Sequence, residues 1–180
     1  TRGIATHPGN ALLWRWRGVA HRMRGNGENS KGQDPAESYR AALRDFDEAI
    51  RLLPAAADPW LDRAQVRLDW AMASTTKSDL ALELYPRVVG DCDEAEKRDL
   101  GHARIASLRG TARRNWGHLL ATRNQDPGEP LRGAIADFTT LERLAPARRD
   151  GAVVRGAIRL QLAGWSGDPE ALYREGIEEL

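Results

Sequence analysis

Apolar residues recur at steps of three and four along two stretches of the chain, one between Asp34 and Pro54 and the other between Asp126 and Pro146. This spacing places them on one face of a helix. The apolar positions are Tyr39, Ala42, Leu43, Phe46, Ala49, Ile50 and Leu53 in the first stretch, and Leu131, Ala134, Ile135, Phe138, Leu141 and Leu144 in the second. An Asp-Pro pair precedes each stretch, and Asp suits a helix N-cap as Pro suits the first turn. The pattern predicts one helix in each stretch.

The two stretches belong to a longer repetition, because a shift of 46 residues aligns the chain with itself. One column of the alignment is arginine followed by a small residue, and another is aspartate followed by Phe or Cys. These columns hold Arg17, Arg63, Arg109 and Arg155, and Asp45, Asp91 and Asp137. The predicted repeats, of two helices each, are about 9–54, 55–100, 101–146 and an incomplete 147–180. We expect residues 1–180 to be a single repeat domain and a fragment of a longer chain.

The residues between the two helices of a repeat differ from copy to copy. In repeat one, Gly25–Gly32 is polar and glycine-rich, which predicts an exposed loop. Trp70–Met72 in repeat two and Trp116–Leu120 in repeat three are more apolar, which predicts longer helices there. Asp58-Pro59 predicts the start of the first helix of repeat two, and Asp168-Pro169 aligns with the Asp-Pro pair of repeat one and predicts the second helix of repeat four.

A helix pair that ends in Pro, with a small residue in its first helix and an Ala–aromatic–Ala stripe in its second, resembles the tetratricopeptide repeat (TPR) family. Repeat one carries the motif most fully, as Trp14, Gly18, Ala42, Phe46, Ala49 and Pro54. The resemblance covers nearly the whole chain, although the repeat is longer than the common 34 residues. It implies an all-α fold, a right-handed α-solenoid of stacked antiparallel helix pairs. A HEAT-like repeat, of roughly 40–47 residues, is the competing assignment.

Composition narrows the function classes. The formal net charge of +1 over 180 residues argues against a strongly basic nucleic-acid binder. No apolar run is long enough to span a membrane, and no signal-peptide pattern opens the chain. The single cysteine excludes an internal disulfide framework and a cysteine-based zinc site. We therefore expect a cytoplasmic protein that is not an enzyme, with no cofactor and no metal.

The arginine column has a structural interpretation that we prefer to a ligand-binding one. Each arginine has one acidic residue in the second helix of its own repeat, and the guanidinium fork suits a carboxylate. The predicted ion pairs are Arg17–Asp45, Arg63–Asp91, Arg109–Asp137 and Arg155–Glu179. Cys92, in the column of Phe46 and Phe138, is predicted to be a small buried residue. Trp14 and Trp60 are predicted to be core residues, whereas Trp16, on another helix face, is the better candidate for a peptide anchor.

The remaining arginines of the first helices suggest a binding surface. In the TPR family the first helices line the concave surface, so the resemblance implies a basic groove there. The candidate groove residues are Arg15, Trp16, Arg22, Arg67, Arg113, Arg114 and Arg159. A merely solvated charged face is the alternative. Some TPR domains hold chaperone tails with a set of Lys and Asn residues, but the corresponding positions here hold residues such as Val19, Asp62 and Gln65. The resemblance therefore does not extend to that function.

These features favour a protein-interaction scaffold that binds a peptide or another part of its own polypeptide. An acidic peptide is the simplest partner for a basic groove, and a membrane partner is not expected. Two alternatives stay open at this level. One is a self-assembly module within a larger multidomain signalling protein. The other, less favoured, is an RNA-binding helical repeat that uses the same arginines on phosphates.

Overall fold

The computed structural model describes residues 2–74, 78–146, 150–166 and 169–179, and these residues contain helices but no strand. In chain order the helices are α1 (Arg2–Thr6), α2 (Ala11–Ser30), α3 (Ala36–Leu52), α4 (Asp58–Ala73), α5 (Ser78–Glu96), α6 (Ala103–Thr122), α7 (Gly128–Leu144), α8 (Asp150–Ala163) and α9 (Pro169–Glu179). They form two compact units, residues 1–100 and 101–180. Asp168, predicted to open the last helix, and Leu180 lie outside the described residues.

Helices α2 and α3 pack as an antiparallel pair, and glycines let them approach closely. A Cβ added at Gly18 would lie 2.9 Å from Cζ of Phe46, and one added at Gly25 would lie 2.7 Å from Cε1 of Tyr39. Contacts nearer the end of α2 thus fall nearer the start of α3. Phe46 and Tyr39 are buried, as the apolar stripe of α3 predicts. The glycines supply the space that these rings fill.

The same pairing of a small residue with a large one recurs in the second unit. A Cβ at Gly110 of α6 would lie 3.3 Å from Cε2 of Phe138, and one at Gly117 would lie 2.5 Å from Cδ2 of Leu131. In repeat two, the positions equivalent to Gly18 and Phe46 hold Ala64 and Cys92, both fully buried. Ala64 is larger than Gly18, and Cys92 is smaller than Phe46, so the larger residue in the first helix accompanies the smaller one in the second. The prediction that Cys92 is a small buried residue is confirmed.

The predicted loop Gly25–Gly32 is wrong for most of its length, because α2 continues to Ser30. Three contacts stabilise the added turns. Gly25 packs against Tyr39, the Tyr39 hydroxyl donates to Oδ1 of Asn26 at 2.8 Å, and Arg24 pairs with Glu28 at 2.7 Å. The helix ends at Ser30, and Gly32, two residues later, has a φ of +71°. Glycine adopts this left-handed conformation at low cost and ends helices for that reason.

Helices α6 and α7 have the lengths of α2 and α3, and each begins 92 residues further along the chain. The prediction of a longer helix is confirmed for α6, at 20 residues, whereas α4 has 16 and the second helix of that pair, α5, has 19. The predicted Asp caps are present but stand one residue further out. Oδ1 of Asp34 accepts from the backbone of Ala36 at 3.0 Å, and Oδ1 of Asp126 accepts from Gly128 at 2.8 Å.

Each unit is a short stack of such pairs. In the first unit α3 packs on α4, α4 pairs with α5, and α2 contacts α4 directly. In the second unit α6 pairs with α7, α7 packs on α8, and α8 pairs with α9. The core of the second unit is formed by Ala106, Leu131, Ala134, Phe138, Leu141, Ile158 and Leu162. Both units therefore place their first helices, α2 and α4 or α6 and α8, in successive layers.

The prediction that Trp14 and Trp60 are core residues is wrong, since both are only half-buried. Trp14 donates from Nε1 to the backbone oxygen of Pro8 at 2.8 Å, and the Arg17 guanidinium lies 4.8 Å from its ring centre. Two guanidinium groups, those of Arg63 and Arg98, lie 4.7 and 4.6 Å from the Trp60 ring. Both rings cover arginine side chains at the surface. Guanidinium groups favour aromatic faces, so these positions are stable without full burial.

Candidate peptide-binding surface

The arginine column forms the predicted ion pairs between the two helices of a repeat. Asp45 accepts from Nε of Arg17 at 2.8 Å and from Nη2 at 2.6 Å, which is a bidentate arrangement. Arg63 donates from Nη2 to Asp91 at 2.6 Å, and Arg109 donates from Nε to Asp137 at 2.8 Å. All three carboxylates are buried. The structural interpretation of this column is therefore confirmed for these three pairs.

The fourth predicted pair cannot be followed, because the side chain of Glu179 lies outside the described residues. Arg155 donates to Oε2 of Glu142 at 2.5 Å, which joins α8 to α7. In the second repeat the column has the same use, since Arg63 also reaches Asp47 of α3 at 2.7 Å. The arginines of this column therefore connect neighbouring helix pairs as well as the two helices of one pair.

Two candidate groove residues belong to these buried clusters. Arg67 and Arg113 lie one turn after Arg63 and Arg109, and each donates to the second oxygen of the same aspartate. Arg67 contacts Asp91 at 2.6 Å, and Arg113 contacts Asp137 at 2.7 Å. In repeat one the equivalent position holds His21, whose Nε2 lies 3.9 Å from Asp45. Arg67 and Arg113 are thus held by internal carboxylates.

Burial dominates the electrostatics of these clusters. It raises the pKa of Asp91 above its ordinary value, against the opposing effect of Arg63 and Arg67, and it likewise raises the pKa of Asp137. Burial also lowers the pKa of Arg67. Removing water from both charges offsets much of the attraction between them. We therefore infer that these clusters mainly fix the register of the two helices and contribute only modestly to the net stability.

Two further candidates, Arg15 and Arg22, form a row of ion pairs between α2 and α4. Arg15 contacts Asp58 at 2.7 Å and Asp62 at 2.6 Å, and Arg22 contacts Asp69 at 3.0 Å. Asn26 adds a hydrogen bond to Asp69 at 3.1 Å. Although burial opposes it, the hydrogen bond and charge of Asp62 raise the pKa of Arg15.

The acidic residues of this row are not part of the repeating pattern that predicts the other ion pairs. Of Asp58, Asp62 and Asp69, only Asp58 has an acidic counterpart in another repeat, Asp150, so the 46-residue alignment gave little sign of this row. Their spacing of four and seven along α4, which places them on one helix face, was the signal available. The row neutralises the surface on which a basic groove was expected in the first unit.

In the second unit, Arg114 differs from the other candidate arginines. Arg159 pairs with Glu175 at 2.9 Å. Arg114 contacts only the side-chain oxygen of Asn115, at 3.4 Å from both Nε and Nη2, and has no carboxylate partner among the residues that the structure describes. Its guanidinium therefore retains the capacity to bind an anion.

Arg114 lines a crevice of about 120 Å³ between three helices of the second unit. We call it the Arg114 crevice. Its walls are Ser107, Thr111 and Arg114 of α6, Phe138 and Leu141 of α7, and Gly151 and Val154 of α8. Phe138 and Leu141 are buried, so the floor is apolar. The Thr111 hydroxyl donates to the backbone oxygen of Ser107 at 2.8 Å. The Arg114 cation and the Ser107 hydroxyl, beside an apolar floor, suit a ligand that has a carboxylate next to an aliphatic group.

Trp16 lies apart from these ion pairs, on the first unit, and 65% of its surface is exposed. It shares one side of α2 with Leu12 and Met23, which are exposed as well. The seven candidate residues have three different local surroundings. They divide into internal ion pairs, the Arg114 crevice and an apolar face that includes Trp16.

Solved structures with the same arrangement of helix pairs identify the fold. The Arabidopsis OM64 TPR domain is 22% identical to this chain with a TM-score of 0.50, and the similarity covers 81% of this chain and 97% of that one. The second TPR domain of human RPAP3, in complex with HSP70 peptide SGPTIEEVD, is 21% identical with a TM-score of 0.53, over 83% and 98%. The first TPR of Spaghetti (RPAP3), bound to HSP90 peptide SRMEEVD, is 17% identical with a TM-score of 0.52, over the same shares.

This chain has the TPR fold. The resemblance read from the sequence is confirmed, and the comparisons favour TPR over the HEAT-like alternative. No protein-family model and no curated protein matches the sequence. Within the described ranges there is no group of side chains that could hold a metal ion, and no helix there is long and apolar enough to cross a membrane.

Proposed function

We propose that this TPR domain is a protein-interaction scaffold that binds an acidic peptide segment of its partner at the Arg114 crevice. One observation carries the proposal. Arg114 lines an apolar crevice and has no carboxylate partner within the described part of the chain, whereas the other candidate arginines pair with internal carboxylates. A partner carboxylate would give Arg114 what Asp137 gives Arg113.

The crevice accounts for recognition by chemistry already described. The guanidinium of Arg114 would donate two hydrogen bonds to a Glu or Asp side chain of the peptide. A neighbouring Val or Ile of the peptide would pack against Phe138, Leu141 and Val154. The peptide SGPTIEEVD, which the second TPR domain of human RPAP3 binds, combines acidic and aliphatic residues in this way. It supports the proposal by analogy of fold.

The proposal gives the paired arginines a supporting role. Arg113, the residue before Arg114, pairs with Asp137 of α7. This contact fixes the position of α6, from which Arg114 extends. Arg15, Arg22, Arg67 and Arg159 stabilise helix contacts in the same manner. We assign no catalytic step to the chain, and a cytoplasmic location stays a prediction.

Binding of labelled peptides, followed by fluorescence anisotropy, tests the proposal. The probes are SGPTIEEVD and a matched peptide with Gln and Asn in place of its acidic residues. Wild type should bind the acidic peptide more tightly, and Arg114→Gln should weaken that binding about tenfold or more, the worth of a hydrogen bond to a charged group. The control is Arg143→Gln, which removes an exposed cation from α7 and should change nothing.

Two results would contradict the proposal. Equal affinity of wild type and Arg114→Gln for the acidic peptide would mean that Arg114 holds no carboxylate. Tight binding of a single-stranded RNA that weakens steeply with salt, together with no peptide binding, would favour the RNA alternative. A gradual loss of peptide affinity with salt is expected, because the contact is ionic.

A further inference from the structure

An apolar face of α2 is left uncovered in the first unit. Leu12, Trp16 and Met23 are 52%, 65% and 65% exposed. They lie at steps of four and seven along α2, so they share one side of the helix, with the half-buried Val19 between them. We call these four residues the head surface. Large exposed apolar side chains grouped on one helix face indicate an interaction site.

The structure shows what covers the equivalent face of the next repeat. A shift of 46 residues takes Leu12, Trp16 and Met23 to Asp58, Asp62 and Asp69. These are the residues of α4 on which α2 lies, through Arg15 and Arg22. The head surface is therefore the side of α2 on which another first helix would lie. That helix would need apolar side chains where α2 has arginines.

Helix α8 carries such side chains at the required positions. A shift of 138 residues, three repeats, takes Arg15 to Val153 and Arg22 to Leu160. Val153 is 51% exposed, Leu160 is half-buried, and the exposed Ala157 lies between them on the same helix face. We call Val153, Ala157 and Leu160 the tail surface. It matches the apolar head surface in spacing as the arginines of α2 match the aspartates of α4.

We infer that two copies of this chain associate head to tail, with α8 of one copy lying on α2 of the next. In this arrangement Val153 packs against Leu12 and Trp16, and Leu160 packs against Met23. Both pairings follow from the contacts of Arg15 and Arg22 with α4, when each position is replaced by its equivalent in another repeat. Trp16 supplies the largest apolar surface, as tryptophan does at many interfaces. Because the two surfaces differ, the contact is heterologous. However many copies associate, one head surface and one tail surface remain free, so a further copy can add.

Sedimentation velocity of the full chain over a wide range of concentration tests this inference. The mass of wild type should rise with concentration, and Trp16→Glu and Val153→Glu should each abolish the rise, because each places a charge in an apolar contact. Leu100→Glu is the control, since Leu100 lies on neither surface and is the most exposed large apolar residue of those that the structure describes. Circular dichroism should show that all three variants remain helical.

Mixing the two variants separates this arrangement from others. A Trp16→Glu copy keeps its tail surface and a Val153→Glu copy keeps its head surface, so the mixture should form a dimer and nothing larger. A wild type that stays monomeric at every concentration would overturn the inference. The inference would also be overturned if Trp16→Glu abolished association while Val153→Glu associated as wild type does. Arg114→Gln should associate as wild type does, which separates this test from that of peptide binding.

Discussion

Arg109 and Asp137 stand 28 residues apart in the chain and join α6 to α7 through a hydrogen bond of 2.8 Å from Nε to Oδ1. Arg17 and Asp45 have the same separation and join α2 to α3. The carboxylate of Asp137 is buried and also accepts from Arg113. Substitutions at these residues therefore test directly how the two helices of a pair are held together.

Replacing Asp137 by Asn should therefore destabilise the protein by about 3–5 kcal/mol, because two guanidinium groups lose their carboxylate in a buried place. Combining Asp137→Asn with Arg109→Met should cost less than the sum of the two single changes. The free energies of unfolding in urea give the coupling between the residues. The exposed pair Arg51–Glu48 is the control, and its coupling should be much smaller. Additive effects at Arg109 and Asp137 would contradict the structural role of the pair.

Two glycines of α2 should respond in opposite directions to alanine. Gly18→Ala brings a methyl group to 2.9 Å from the Phe46 ring and should cost about 1–3 kcal/mol by overpacking. Gly27→Ala meets no atom within 4 Å and should stabilise the helix by about 0.5–1 kcal/mol, because alanine is the better helix former. Thermal and urea unfolding measure both. Equal effects would mean that the close approach of α2 and α3 is absent in solution.

Stability should fall in alkali because of Tyr39. Burial, aided by the charge of Asp69, raises the pKa of Tyr39 from its usual 10.0 to about 12. Between these values the unfolded chain releases the phenol proton while the folded chain keeps it, so stability declines as pH rises through this window. The urea midpoint of wild type should decrease over this range more steeply than that of Tyr39→Phe. Parallel slopes for the two proteins would contradict the burial of the hydroxyl.

Limited proteolysis should cut near Leu100 before it cuts within Gly25–Ser30. Leu100 lies between α5 and α6 and is 84% exposed, whereas Gly25–Ser30 is helical and is held by Tyr39. Exposed irregular segments are the preferred sites of cleavage. Mass spectrometry of thermolysin fragments identifies the first cuts. Tyr39→Ala should make Gly25–Ser30 susceptible, and early cleavage there in wild type would mean that the end of α2 is not formed.

The fold could be predicted because its determinants repeat within the sequence. The apolar stripe of α3 and the Arg–Asp columns recur at one spacing, so Phe46, Asp45 and Arg17 could be placed from the alignment alone. The end of α2 could not be predicted in this way. Its composition is that of a loop, and it is helical because Tyr39, more than ten residues away in sequence, packs on Gly25 and donates to Asn26.

The candidate site could be predicted only in part, for a related reason. The sequence shows which residues are cationic, but whether an arginine is available depends on acids in other helices. Asp62 and Asp69 neutralise Arg15 and Arg22 from the next repeat, where the repeating pattern has no acid to align. Arg114 differs from Arg113 only by the direction in which α6 presents it. Local sequence carries no direct record of such contacts.

The pairing of Gly18 with Phe46 has a consequence for how related chains diverge. The first position has no room for a methyl group while the second holds a phenyl ring, whereas the pair Ala64 and Cys92 has traded volume between the same two places. A substitution at one place is therefore tolerated only after, or together with, its counterpart. Among homologues these two positions should covary within each repeat, with glycine accompanying phenylalanine and alanine accompanying a smaller residue. Exchanging only one helix of a pair between repeats should therefore be poorly tolerated, because the two residues would no longer match in volume.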